Sequence, residues 1–266
     1  MRIHARSRLW SRVYFEGESF MSEERVILVT GSSRGIGAGL AVGFAQAGFR
    51  VVINYAASAA EAEQVRREIG EERALAIQAD VSQRGDVQAM FERIDQVFGR
   101  VDVLINNAGI NRDGPFMEMT DAQWDRVLAT NLTGTFICSQ EFARRYTGDE
   151  GHIINMGATT AFRGRKNGAN YCSAKAGIVT LTKCMALELA PRIRVNCIIP
   201  GLIDTEELRT RYHLDEPERL AQMVGTVPMG RLGTPDDMFR MISFIVCDSE
   251  YITGQNFFVN GGYVMI

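Results

Sequence analysis

With 266 residues, 46% of them hydrophobic and 23% charged, the chain is long and apolar enough for one large globular domain. A net charge of −3, spread without blocks, excludes the basic patch of a nucleic-acid binder and the polybasic face that meets an anionic membrane. No apolar run reaches the roughly 18 residues that a membrane-spanning helix needs. The five cysteines are odd in number and lack metal-ligand spacing, so they read as buried free thiols of a reducing, cytoplasmic compartment, with no metal site.

Residues 1–20 form a separate lead, in which Arg2, Arg6, Arg8 and Arg12 with Ser7 and Ser11 precede Glu16 and Glu18. A basic, serine-containing presequence is one reading, but the acidic end fits it poorly, and an upstream extension ahead of a start at Met21 fits better. The folded domain is therefore expected over residues 21–266. Within it, short apolar runs at 26–30, 51–54, 75–78, 101–105, 152–156 and 195–199 alternate with amphipathic stretches such as 60–70, 86–98 and 121–145. Near-continuous apolarity is what strands covered on both faces need. The predicted fold is α/β: one Rossmann-like, doubly wound parallel sheet of about seven strands, with helices on both faces and right-handed crossovers.

The first strand runs directly into the sequence TGSSRGIG at residues 30–37. Glycines there permit a tight turn and let backbone N–H groups approach a pyrophosphate, whose charge then sits at the positive end of the next helix. The spacing is G-x-x-x-G-x-G rather than the commoner G-x-G-x-x-G. Further along, Asn167 and Gly168 precede a helical pattern in which Tyr171 and Lys175 stand four residues apart and so share a face. A lysine ammonium beside a phenol favours its ionisation, lowering a pKa that starts near ~10. Such a tyrosine can exchange a proton with an alcohol or carbonyl oxygen.

Taken in order, residues 30–37, the NNAG run at 106–109, Asn131, the Tyr171/Lys175 pair and Pro200-Gly201 resemble the motif set of the short-chain dehydrogenase/reductase family over about residues 24–266. Within that family, the stretches 109–113, 117–119, 253–255 and 259–262 are most similar to the 3-oxoacyl-[acyl-carrier-protein] reductases. The resemblance implies that Gly31, Ser33, Arg34, Gly35, Ile36 and Gly37 hold cofactor phosphates. By the same likeness, Asp80 and Val81 lie beside the adenine, and Asn107, Ala108 and Gly109 lie along the ribose. Pro200, Gly201, Ile203 and Thr205 would line the nicotinamide side, and Tyr171 would be the proton carrier. Lys175 would hold the ribose, and Asn131 would help anchor a proton-replenishing water chain. It also implies a homotetramer or homodimer, with residues 121–145 and 169–190 at the contact.

Cofactor choice follows from charge. A carboxylate ending the second strand would accept from a ribose 2′-hydroxyl and repel a 2′-phosphate. Here Asn54 and Tyr55 end it, with Ser58 and Arg34 nearby, which favours NADP(H) over NAD(H).

One departure stands out. The family's usual third catalytic residue is a serine thirteen positions before the tyrosine, and here that position is Ala158. Either Thr159 or Thr160 supplies the hydroxyl through a shifted loop, or the residue was replaced, or the protein is a weak catalyst or cofactor-binding relative. Residues 202–234 read as a mobile lid, with His213 at its surface. The acidic turn at 147–151 argues against an acidic carrier-protein partner. Arg163, Arg165 and Lys166 form either a solvated basic turn or a seat for an anionic substrate. The expected activity is NADPH-dependent reduction of a small-molecule carbonyl. Oxidation of a sugar or secondary alcohol is the enzymatic alternative.

Overall fold

The computed structural model describes residues 24–266, so the reading of residues 1–20 lies outside the described residues. Seven parallel strands form one sheet in the order β3-β2-β1-β4-β5-β6-β7. They are β1 (Val26–Val29), β2 (Arg50–Tyr55), β3 (Ala74–Gln78), β4 (Val103–Asn106), β5 (Gly151–Met156), β6 (Ile193–Pro200) and β7 (Asn256–Val259). Between them run α1 (Gly35–Gln46), α2 (Ala59–Ile69), α3 (Arg84–Phe98), α4 (Asp121–Leu128), α5 (Gly134–Arg145), α6 (Thr160–Arg163) and α7 (Ala169–Leu189). After β6 come α8 (Glu206–Tyr212), α9 (Pro217–Val224) and α10 (Pro235–Ser243).

Strand residues feed two core layers alternately, because successive side chains leave a strand on opposite faces. Ile27 and Val29 join the layer under α1 and α10, whereas Val26 and Leu28 join the layer with α3 and α5. This is why the first strand is apolar at every position. Strand order reverses between β1 and β4, and such a switch point opens a crevice beyond the carboxyl ends of the strands.

Three expectations need correction. Residues 121–145 are not one uniform α-helix: a π-helical turn over Ala129–Thr133 separates α4 from α5. Residues 202–234 are not a loop but carry α8 and α9, pinned by buried Ile203, Leu214, Val227 and Leu232. Of the cysteines, only Cys138 and Cys197 are buried; Cys172 is partly exposed, and Cys184 and Cys247 are exposed. On α7 the buried face runs through Ile178, Thr182 and Ala186, so the helical period turns Cys184 outward. Among the described residues no helix is long and apolar enough to cross a membrane.

At the opposite end of the sheet from the crevice, His152 is fully buried in β5, with neither ring nitrogen hydrogen-bonded. Burial, reinforced by the Arg25 and Arg194 guanidiniums, pushes its pKa down to about 3. The unfolded chain binds this proton near pH 6.5 and the folded chain does not, so the stability contribution is complete above about 6.5 and is lost as pH falls toward 3. We expect wild type to lose on the order of 1.4 kcal/mol per pH unit more than His152→Leu across that window. Urea midpoints measured from pH 7 to pH 4 test this; parallel curves would refute it.

Candidate active site

The glycine turn is knitted to the loop after β4. Gly31 and Gly35 adopt φ of +61° and +59°, the left-handed region that glycine enters without strain. At Gly37 an added β-carbon would stand 2.5 Å from both Asn107 Nδ2 and the Gly31 carbonyl oxygen. Asn107 Nδ2 donates to the carbonyls of Thr30 and Gly31 at 2.9 and 3.0 Å. Thr30 Oγ1 accepts from the N–H groups of Asn107 and Ala108 at 3.0 Å each. Asn107 and Ala108 thus stand against the turn at the switch point. No acidic residue occupies the first turn of α1, so its N–H groups keep their positive field.

The other cofactor candidates also make contacts within the protein. Asn54 is buried; its Oδ1 accepts from the Gly31 N–H at 3.1 Å, and its Nδ2 donates to the Ala79 carbonyl at 3.0 Å. It braces the turn against the segment after β3. The Asp80 carboxylate accepts from the Ser82 hydroxyl at 2.7 Å and from Arg126 at 3.0 Å, and Val81 is buried. Ser33 and Ser58 are partly exposed, and Arg34 is exposed at the start of α1. Pro200 ends β6, and the Gly201 N–H donates to the Val259 carbonyl. Thr205 Oγ1 caps α8 by accepting from the Leu208 N–H at 3.2 Å. Its methyl group lies 3.6 Å from the β-carbon position of Gly35, so the segment leading into α8 meets the glycine turn.

Tyr171 and Lys175 lie on one face of α7, with the Lys175 Nζ 5.6 Å from the tyrosine ring centroid. Lys175 is buried and donates to the Met156 carbonyl at 2.6 Å, which ties α7 to the carboxyl end of β5. The expected acidification of the phenol is absent here. Burial pushes Tyr171 up to about 12, outweighing the Arg165 guanidinium that opposes it, and the same burial pushes Lys175 down to about 8. Desolvation disfavours both charged forms, and the Arg165 guanidinium does not overcome it at the tyrosine.

Asn131 sits fully buried within the π turn. Its Oδ1 accepts from the Ile110 N–H at 2.8 Å and its Nδ2 donates to the Ile110 carbonyl at 3.0 Å. The side chain therefore clamps the chain just after Gly109. Its own carbonyl accepts from Thr135 Oγ1 at 2.7 Å. Single π turns within α-helices recur at functional sites because they redirect backbone groups.

Ala158 is partly exposed after β5, whereas Thr159 is buried and Thr160 Oγ1 is enclosed without a partner. Around Tyr171 lies a charged rim that no motif revealed. Arg165 Nη2 donates to Asp113 at 2.6 Å and to Asn111 at 3.2 Å. Asn111 donates to Glu207 at 3.2 Å, and Arg211 donates to the same carboxylate at 2.8 Å. The sequence marks parts of it, Arg165 in the basic turn and the Glu207/Arg211 spacing of four, but not their joining. His213 is exposed and terminates α8 in the left-handed region, as a surface residue would.

A doubly wound sheet with a glycine turn at its switch point, and a Tyr-x-x-x-Lys helix tied to the neighbouring strand end, defines a nicotinamide-type oxidoreductase scaffold. A family model described as enoyl-(acyl carrier protein) reductase matches residues 31–264. The 3-oxoacyl-[acyl-carrier-protein] reductase FabG of Staphylococcus aureus is 40% identical over 250 residues, covering 92% of this chain and 100% of the relative. The reductase of the same description from Synechocystis is 39% identical over 91% of this chain and 97% of its own. Among solved structures, a glucose/ribitol dehydrogenase of Brucella melitensis superposes with a TM-score of 0.85 at 30% identity, covering 92% of this chain and 98% of its own. A short-chain dehydrogenase of Bacillus anthracis does so with a TM-score of 0.82 at 35% identity, covering 91% and 97%. The chain belongs to the short-chain dehydrogenase/reductase family and is an oxidoreductase of it.

Proposed function

We propose that the chain reduces a ketone with NADPH, with Tyr171 supplying the proton. The observation that carries this reading is the shared face of Tyr171 and Lys175, anchored through Met156 beside the crevice that the glycine turn borders. A dinucleotide fits the turn: backbone N–H groups at the start of α1, glycine where a β-carbon would collide, and no carboxylate at the end of β2. Gly31, Gly35 and Gly37 would admit the phosphates. When bound, the reduced nicotinamide supplies the hydride that adds to the carbonyl carbon.

The carbonyl oxygen takes its proton from Tyr171 Oη, leaving a phenolate that Lys175 stabilises, and solvent restores the phenol. Asn131 holds the loop at Ile110 and thereby the wall of the crevice. A homotetramer is part of this reading, by family likeness. The similarity to 3-oxoacyl reductases favours a 3-oxoacyl-type ketone among the substrates. The charged rim of Asn111, Asp113, Arg165, Glu207 and Arg211 favours a second reading, a polar substrate such as a sugar or polyol oxidised with NAD(P)+.

Cofactor turnover measured against a panel of 3-oxoacyl thioesters, free ketones and polyols tests both. Consumption of NADPH by a ketone supports the first reading, and turnover confined to polyols replaces it by the second. Silence with every substrate leaves a cofactor-binding protein. For cofactor choice, Arg34→Ala is expected to weaken NADPH binding about tenfold or more and leave NADH binding little changed, because a guanidinium recognises the 2′-phosphate. Equal loss for both cofactors in titrations would refute this role.

A further inference from the structure

Lys175 is not the only cation at the tyrosine. The Arg165 guanidinium lies over the Tyr171 ring with Cζ 5.2 Å from the centroid, slightly closer than the Lys175 ammonium at 5.6 Å. It arrives from a different part of the chain, the turn between α6 and α7, and is held by contacts that do not involve the tyrosine. Nη2 is bracketed by Asp113 and Asn111 from the loop after β4. On the other side, a β-carbon at Gly168 would stand 2.8 Å from Nε, so glycine there leaves the guanidinium its seat. Nε is shielded from solvent and has no hydrogen-bond partner. Buried donors are rarely left unmatched, so this arginine is not placed to optimise its own hydrogen bonding.

We propose that Arg165 is a second cation for the Tyr171 phenolate, a positioning residue that shares with Lys175 the work of holding the deprotonated tyrosine. The inference rests on the reading of Tyr171 as the proton carrier. Negative charge on a phenolate spreads into the ring, and a cation lying on the ring is attracted more strongly to that form than to the neutral phenol. Burial lowers the proton affinity of Lys175 to about 8, so its charge fades in mildly alkaline solution, whereas a guanidinium stays charged throughout. With alanine at 158, the second cation also offsets part of what a missing hydroxyl would have contributed at this site. The other charged groups near the phenol are Glu207 and Arg211 of α8, of opposite sign and joined to each other, and the neighbouring Cys172. Asp113 is the counter-ion that sets how much of the Arg165 charge the ring experiences.

The test is the pH at which Tyr171 ionises in the NADP+ complex. It is read as tyrosinate difference absorbance between each form and the same form carrying Tyr171→Phe. Arg165→Gln is expected to move ionisation upward by about one pH unit, roughly tenfold in the equilibrium, and Arg165→Lys to restore most of it. Asp113→Asn is expected to move it downward. If alcohol oxidation is found, the acidic limb of kcat/KM should shift in the same directions.

A merely structural arginine would make the Arg165 and Asp113 variants fail alike, without opposite shifts. An unchanged ionisation in folded Arg165→Gln overturns the proposal. Should that variant not fold, Asp113→Asn decides alone, since no downward shift there also overturns it. Absence of turnover in every form would sink the reductase reading while the absorbance titration still judged Arg165.

Discussion

Tyr171→Phe is expected to lower kcat for ketone reduction by about 10²–10⁴ while leaving cofactor affinity nearly unchanged, the range that a positioned general acid contributes. The ring of phenylalanine fills the same space between Lys175 and Arg165, so packing on α7 is preserved and only the proton is lost. Burial keeps the phenol protonated across the working range, as a donor requires. The neighbouring ammonium is the group that titrates near there. Because Lys175 is pushed down to about 8 by burial, reduction should decline as pH rises through that value. Above it, the phenolate left by each turnover loses its nearest ammonium. Rates of NADPH consumption from pH 6 to 9.5, with cofactor binding followed in parallel, check both points. Retained turnover in the phenylalanine variant would remove Tyr171 from the mechanism.

Ala158→Ser is expected to act in the other direction, raising kcat by about 10²–10³ with a smaller effect on KM. That is the usual worth of one preorganised donor aimed at a developing oxyanion. The position is partly exposed at the end of β5, where the Gly157 N–H is tied to the Ile198 carbonyl, so an added oxygen meets little resistance. Thr159 is buried, and Thr160 Oγ1 is enclosed without a partner, which makes Thr160 the residue to test beside it. If serine brings no gain and Thr160→Val abolishes a measurable turnover, the threonine supplies the hydroxyl after all. If serine brings no gain and no form turns over, the chain binds cofactor without catalysis.

Much of this architecture is written locally. The all-apolar runs at 26–29 and 103–105 mark strands covered on both faces, and the helix carrying Tyr171 and Lys175 is legible from its spacing. The glycine turn is legible because its conformations demand glycine at successive nearby positions. Each of these depends on residues within one or two turns of each other, and so survives in the sequence as a pattern.

What depended on the fold joins residues far apart in the chain. Asn54 joins Gly31 to Ala79, partners more than twenty residues away in the chain. Asn131 clamps Ile110 only because a π turn brings it there. The rim at Tyr171 joins Asn111 to Glu207 across 96 positions and Arg165 to Asp113 across 52. The proton affinity of the phenol was also decided in three dimensions, since desolvation by the packed chain raises it against the Arg165 guanidinium brought over the ring. Backbone periodicity and steric demands are properties of short segments, whereas burial and polar pairing belong to the whole packed molecule.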